Sequence, residues 1–284
     1  MNRAPLILSV GIADARLSDP VWAGEMIALA DQARIALLLL GDGHAAPFDP
    51  MAVAQWLTPR AGSVGLVPTI DTGADTGSAT GGDTGGEPSS DVARALSALD
   101  AQTGERSGWQ PSTLVQPTTG ESVAHGVAFV AAMRSLWADA DVGPDRRARS
   151  DGAEVDHGDR GGNADVLDVA RPSHGHPVLV QTDADPLWSQ VAADVVIIDM
   201  DSPKPPPGPK CLLRTYTALA GLDQIEALYH DGIIDGIHLT PPFPRRGLQE
   251  FADTMLPALI ERGLLPRARA TGTLRERLGL GMPS

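Results

Sequence analysis

The sequence contains one cysteine and two lysines. One cysteine in 284 residues excludes an internal disulfide framework. Cys211 is followed by Leu212 and Leu213, and this apolar setting predicts a buried structural thiol rather than a nucleophile. A single cysteine is also typical of a reducing compartment, so we expect a cytoplasmic protein.

Positive charge is scarce as well. The chain has 22 Lys and Arg against 36 Asp and Glu, a formal net charge of −14 at pH 7. This balance argues against nucleic acid and against anionic membrane surfaces as partners. The apolar run at residues 6–10 is too short for a signal peptide or a membrane span. We therefore predict neither nucleic-acid binding nor membrane association.

Short apolar runs alternate with helical patterns along the chain. Continuous apolar runs are typical of strands covered on both faces, and hence of a parallel sheet. Helices are predicted at residues 23–34, 50–57, 90–102, 121–137 and 222–230. Eight strands are predicted, beginning near Leu6, Ile35, Val64, Gly108, Val178, Val195, Cys211 and Gly236. This alternation over a single domain, 1–284, predicts an α/β fold of the TIM-type (β/α)8 barrel class, with a doubly wound open sheet as the alternative. Within this scheme Pro111 is expected to end the fourth strand.

Two polar stretches interrupt the alternation. Residues 71–86 consist of Asp, Thr, Gly, Ser and Ala, and residues 139–175 are rich in Gly and Asp. Both are predicted to be flexible loops, which makes the barrel a shortened one with two long polar loops. His174 and His176, with Asp168 nearby, have a spacing that is weak for metal binding, so we predict no metal site.

The most regular pattern lies near the end of the chain. Residues 235–242, Asp-Gly-Ile-His-Leu-Thr-Pro-Pro, indicate a buried strand that ends at its prolines. Residues 247–265 indicate an amphipathic helix, and residues 273–280, Thr-Leu-Arg-Glu-Arg-Leu-Gly-Leu, indicate a short terminal helical turn. His238 on this strand either faces the barrel mouth or is a hydrogen-bonded structural histidine.

This C-terminal stretch resembles that of the luciferase-like flavin-dependent monooxygenases of the nitrilotriacetate monooxygenase component A type. Further motifs resemble the family in the same order along the chain. They are Leu-Gly-Asp-Gly at 40–43, Val-Gly-Leu-Val-Pro-Thr at 64–69, Glu-Pro with Ala-Arg and Leu-Asp at 87–100, Thr-Gly-Glu-Arg-Ser-Gly-Trp-Gln at 103–110, the Phe-Val…Leu-Trp segment at 129–137 and His-Pro-Val-Leu-Val-Gln at 176–181. The resemblance implies a TIM barrel.

The resemblance also implies a function. A member of this family would be a monooxygenase-type oxidoreductase that uses reduced FMN, supplied by a separate flavin reductase, to insert oxygen from O2 into a small organic substrate. The flavin would lie across the barrel mouth, and the implied contacts are Asp42, Thr69, Gln110, Thr113, Gln181 and Thr182. A homodimer, or a heterodimer with a paralogue, is implied as well. The resemblance assigns no catalytic residue.

Two segments depart from the family pattern. Residues 86–90 read Gly-Glu-Pro-Ser-Ser where the family has Asn-Glu-Pro-Tyr-His. Residues 182–188 read Thr-Asp-Ala-Asp-Pro-Leu-Trp where the family has a small-residue turn that holds the flavin phosphate. At ~4–6 Å and an effective dielectric of ~20, Asp183 and Asp185 would each oppose a phosphate by a few kcal/mol, and Pro186 removes an N–H donor. The alternative function is therefore a catalytically degenerate barrel that serves as a non-catalytic or regulatory subunit.

Overall fold

The computed structural model describes residues 3–42, 45–72, 88–114, 119–139, 175–202, 208–215 and 221–281. Most of the two predicted loops, 71–86 and 139–175, lies outside these ranges, together with His174 and Asp168. Their flexibility therefore stays a prediction.

Eight parallel strands close into a barrel in chain order. They are β1 (Ile7–Ile12), β2 (Leu37–Leu40), β3 (Gly65–Asp71), β4 (Gly108–Ser112), β5 (Val178–Thr182), β6 (Val195–Ile198), β7 (Lys210–Thr215) and β8 (Gly236–Leu239). The barrel closes where Ile7 of β1 lies opposite Gly236 of β8. The predicted TIM-type barrel is confirmed, and the doubly wound alternative is wrong.

Helices surround the barrel, and each predicted helix is present within a few residues of its expected bounds. They are Pro20–Gln32, Pro50–Leu57, Pro88–Thr103, Gly120–Asp139, Leu222–His230, Pro244–Glu250, Leu256–Glu261 and Leu274–Leu278. A π-helical turn, Phe251–Met255, joins the helix Pro244–Glu250 to the helix Leu256–Glu261, whose second residue is Pro257. Because Pro257 has no N–H to donate, the helix loses one hydrogen bond there, and a π turn accommodates this loss. No helix among the described residues is long and apolar enough to cross a membrane.

Three helical segments begin with the same Asp-Pro pair. Asp19, Asp49 and Asp185 each cap a segment and accept a hydrogen bond from the backbone N–H two residues later, in Val21, Met51 and Leu187. The proline at the first helical position has no N–H to satisfy, and its fixed φ suits the helix start. The third of these segments is the short 3-10 helix Pro186–Ser189 after β5, which the sequence patterns did not predict.

The barrel interior is apolar over most of its length. Because side chains alternate along a strand, one set of residues faces inward and the other faces the helices. The interior cluster comprises Ile7, Leu37, Leu39, Val67, Val178, Val180, Val195, Ile197 and Leu212, joined by Leu274 and Leu278. The last two belong to the C-terminal helix, whose Leu274 N–H donates to the Glu105 carbonyl just before β4. The terminal helix therefore closes the amino-terminal end of the barrel.

The terminal helix is held in this position by polar contacts. Thr273 and Glu276 form a reciprocal capping box at its start. The Arg275 guanidinium contacts both Asp194 carboxylate oxygens at 3.2 and 2.9 Å, just before β6. The predicted terminal helical turn is thus confirmed, and its role is to seal the barrel.

The prediction that Pro111 ends the fourth strand is wrong. β4 continues to Ser112, and Pro111 lies opposite Ile70 of β3. The backbone N–H and C=O groups of successive β4 residues point alternately toward β3 and toward β5. The backbone nitrogen and carbonyl of Pro111 point toward β5. The registered pairing with β5 extends only to Trp109. The missing N–H of proline therefore falls where no ladder bond is formed.

Cys211 is buried on the outer face of β7, as predicted. Burial raises the pKa of its thiol to about 11, and the neighbouring Asp235 and Asp183 carboxylates add to this rise. A thiol with so high a pKa is almost fully protonated near neutral pH, so Cys211 is a structural residue.

Candidate functional site

The interior becomes polar at the carboxyl ends of the strands. Above the apolar layer, inward-facing positions carry buried polar side chains: Ser9, Thr69, Gln110, Ser112, Thr182 and His238. Active sites of (β/α)8 barrels lie at this end, where the loops after the strands meet. We therefore take this mouth as the candidate functional site.

Asp42 follows β2 and turns back into the mouth. Its backbone has φ of 47°, a left-handed conformation that non-glycine residues adopt infrequently, with Asp and Asn more tolerant than most. The carboxylate then lies over Gly11 of β1, where a Cβ atom would come within 2.4 Å of the Asp42 Cγ. Gly11 is thus the small residue that makes room for an inward-pointing carboxylate.

His238 joins two polar side chains below this carboxylate. Its Nε2 lies 3.1 Å from Asp42 Oδ1, and its Nδ1 lies 2.7 Å from Ser9 Oγ. Because an ionised carboxylate only accepts hydrogen bonds, Nε2 carries the hydrogen in this arrangement. His238 is fully buried and bonded at both ring nitrogens. Both expectations for it hold together, since it faces the interior and has a structural hydrogen-bonding role.

Arg214 spans the mouth above His238. Its Nη1 lies 3.2 Å from Asp42 Oδ2, its Nη2 donates to Thr182 Oγ1 at 2.7 Å, and its Nε lies 3.3 Å from Asp199 Oδ1. Only 8% of the side chain is exposed. The guanidinium therefore ties together the ends of β2, β5 and β6, and it compensates the carboxylates of Asp42 and Asp199.

Thr69 and Gln110 form the opposite part of the mouth. They lie side by side in the β3–β4 register, and Thr69 Oγ1 donates to Gln110 Oε1 at 3.1 Å. The Gln110 Nε2 is buried and has no hydrogen-bond partner among the described residues. A buried donor left unpaired costs about 1–3 kcal/mol, so such a group in a native fold is expected to have a role, such as binding a ligand.

Two of the implied flavin contacts lie elsewhere. Gln181 alternates with Val180 and Thr182 on β5, so it points away from the interior, and its Nε2 donates to the Pro111 carbonyl at 3.0 Å. Thr113 contacts the 3-10 helix that follows β5 through Asp185. The structure thus brings Asp42, Thr69, Gln110 and Thr182 to the mouth and places Gln181 and Thr113 outside it.

The turn after β5 uses its acidic side chains internally. The Asp185 carboxylate is fully buried and accepts from Thr113 N at 2.7 Å, Thr113 Oγ1 at 2.7 Å and Leu187 N at 2.9 Å. Asp183 Oδ2 accepts from Asp199 N at 2.9 Å and from the Ser202 hydroxyl. The expectation that Asp185 would face a phosphate needs correction, because its carboxylate is bound to Thr113 and Leu187 and occupies the start of the 3-10 helix itself.

In the part of the chain that the structure describes, no cluster of three metal-ligating side chains occurs. Of the two histidines with a weak metal-binding spacing, His174 and His176, the structure describes His176. Its ring stacks against Trp137 with ring centroids 6.2 Å apart. Burial lowers the pKa of His176, which keeps its ring neutral in this packed position.

Ser9 and Arg214 were not among the sequence-derived candidates. Arg214 is two residues beyond the inward-facing Leu212, and the period of two along a strand places it on the inner face at the carboxyl end. The same count from Ile7 places Ser9 inside. Strand alternation was the signal that could have found both residues, and it also would have excluded Gln181.

Comparison with solved structures supports the barrel fold. No protein-family model matches the chain. A subunit of pristinamycin IIA synthase from Streptomyces pristinaespiralis is 29% identical over 68% of this chain and 67% of its own length. An EDTA monooxygenase from Chelativorans sp. BNC1 superposes with a TM-score of 0.70 at 18% identity, over 98% of this chain and 99% of its own. A riboflavin lyase determined with modified FMN and riboflavin has a TM-score of 0.66 at 16% identity, over 97% and 96%.

Proposed function

We propose that this chain, which shares its barrel and its ordered motifs with the luciferase-like flavin-dependent monooxygenases, is a flavin-dependent monooxygenase-type oxidoreductase. The observation that carries this proposal is the buried Gln110 Nε2 at the carboxyl end of the barrel, which has no hydrogen-bond partner in the part of the chain that the structure describes. The edge of an isoalloxazine ring presents carbonyl oxygens and ring nitrogens that accept hydrogen bonds. An amide donor inside the mouth matches that chemistry.

The rest of the mouth also fits a flat, partly polar ring. The floor below Gln110 consists of inward-facing aliphatic side chains such as Val67 and Val180. This floor excludes water from below, which strengthens each polar interaction above it. The Arg214 contacts hold Asp42 and Thr182 in fixed positions at the rim. A bound reduced flavin would supply the chemistry that activates O2, and the chain would position the ring and the substrate.

The finer parts of the proposal follow the resemblance. The flavin would be reduced by a separate reductase, and the substrate would be a small organic molecule that receives one oxygen atom. We propose a homodimer, or a heterodimer with a paralogue, in the cytoplasm. No catalytic residue is proposed, because the resemblance assigns none.

A titration of the purified chain with oxidised and reduced flavin tests the proposal. We expect Gln110→Leu, which keeps the side-chain size and removes the donor, to weaken binding about three- to tenfold, as the loss of one neutral hydrogen bond predicts. Gln55→Leu, at an exposed position of the helix Pro50–Leu57, is the matched control and should leave binding unchanged. If the wild type and Gln110→Leu bind flavin with equal affinity, the flavin ring does not accept a hydrogen bond from Gln110.

A second candidate function is a catalytically degenerate barrel that acts as a non-catalytic or regulatory subunit. The internal use of Asp185 at the turn after β5 favours it, because this turn is not free to hold an anion. Absence of binding at millimolar flavin, in both redox states, would support this second candidate and contradict the first. Binding of reduced flavin together with faster O2 uptake than free flavin shows would contradict the second.

A further inference from the structure

We propose that the Asp185 carboxylate is an internal anion that takes the place of a cofactor phosphate, so that the barrel binds flavin without gaining affinity from a 5′-phosphate. This inference rests on the proposed flavin site and concerns its selectivity. It predicts that FMN binds no more tightly than riboflavin. Asp185 is then the residue that determines this selectivity.

The hydrogen-bond donors at the turn after β5 are already bound to Asp185. A phosphate at a helix start is held by the first free backbone N–H groups. Here the Leu187 N–H already donates to Asp185, and Pro186 has no N–H. The Thr113 N–H and hydroxyl, which approach from the end of β4, also donate to this carboxylate. The donors that an anion would need are therefore bound within the chain.

The charge at this turn also disfavours a phosphate. In the part of the chain that the structure describes, neither Asp183 nor Asp185 forms an ion pair. The guanidinium that reaches this turn belongs to Arg214, and it already contacts two carboxylates, those of Asp42 and Asp199. A phosphate brought to the turn would meet the uncompensated Asp185 charge at short range. Buried charges of like sign repel strongly because the local dielectric is low.

The Asp185 side chain is also held rigidly in place. Asp185 is fully buried, and three hydrogen bonds of 2.7–2.9 Å fix both of its oxygens. The following proline restricts the backbone at the same point. The carboxylate therefore cannot swing aside at low cost to admit a phosphate. The same Asp-Pro pair occurs at Asp49, where it caps the exposed start of another helix.

The test compares the dissociation constants of FMN and riboflavin under identical conditions, measured by quenching of flavin fluorescence. For the wild type we expect FMN to bind no more than about threefold tighter than riboflavin, because the phosphate gains no charge-assisted hydrogen bond at this turn. FMN binding more than about threefold tighter than riboflavin would overturn the inference. Binding of neither flavin would instead refute the proposed flavin site, and the inference with it.

Variants locate the effect at one residue. Asp185→Asn keeps the side-chain shape and removes the charge, so we expect it to strengthen FMN binding at least about tenfold relative to riboflavin. Asp185→Ser retains a capping oxygen and vacates more space, and it covers the case in which Asp185→Asn unfolds. Asp49→Asn makes the same change at another helix cap and should leave the FMN-to-riboflavin ratio unchanged. A ratio unchanged in folded Asp185 variants would overturn the proposed role.

Discussion

Replacing Asp42 by Asn tests the polar network that shapes the mouth. Asn keeps the size of the side chain and tolerates the left-handed backbone at this position, so the change removes charge without adding strain. Asp42 binds Arg214 at 3.2 Å and His238 at 3.1 Å, and 11% and 8% of the Asp42 and Arg214 side chains are exposed. The pair is thus largely shielded from solvent.

The expected loss of stability follows from these contacts. A hydrogen bond to a charged group contributes about 1.5–3 kcal/mol. The Asn amide can still accept from one neighbour, but its NH2 group would face a second donor. Arg214 retains Asp199 and Thr182 as partners, which limits the loss. We therefore expect a decrease in the free energy of unfolding of about 2–3 kcal/mol.

Urea denaturation followed by circular dichroism measures this decrease. Asp91→Asn is the control, because Asp91 forms an exposed pair with Arg94 at 2.7 Å. Such surface pairs contribute about 0–1 kcal/mol. If Asp42→Asn lowers the free energy of unfolding no more than Asp91→Asn does, the contacts of Asp42 with Arg214 and His238 do not stabilise the fold, which would contradict the prediction.

Two further predictions concern Gly11 and Cys211. Gly11→Ala places a methyl group 2.4 Å from the Asp42 Cγ, so the carboxylate must move away from His238. We expect urea denaturation to show a decrease of about 1–3 kcal/mol in the free energy of unfolding. The control is Gly24→Ala, which should show no such clash because the nearest atom is 3.9 Å away. Cys211 has a pKa raised to about 11 from 9.0, so its thiolate fraction near pH 8 is about a hundredfold lower than in the unfolded chain. A thiol reagent should therefore label it slowly in buffer and quickly in urea, and fast labelling of the native chain would contradict its burial.

The fold was predictable from sequence because each strand is a continuous apolar run between breakers. Residues 37–40 and 195–198 have no polar side chain, and only a sheet covered on both faces buries such runs completely. The short 3-10 helix Pro186–Ser189 was not predicted, since four residues are too few to show a helical period. Pro111 misled the strand assignment because the sequence does not show which neighbour its nitrogen would face.

The site was predictable only in part. Asp42, Thr69, Gln110 and Thr182 follow from motifs placed at strand ends, and the structure brings them to one mouth. The partnership of Arg214 with Asp42 joins residues 172 positions apart, and it depends on a left-handed turn and on the absence of a side chain at Gly11. The Asp185 carboxylate points toward Thr113, which lies 72 positions away and donates a hydrogen bond to it. Long-range pairings of this kind leave no local pattern in a sequence.

A crystal structure of the chain soaked with riboflavin tests whether the barrel mouth binds flavin. We expect an isoalloxazine ring inside the barrel mouth, with one of its acceptor atoms within hydrogen-bond distance of Gln110 Nε2. A ring bound outside the mouth, or an unoccupied mouth at saturating riboflavin with Gln110 Nε2 still unpaired, would contradict it.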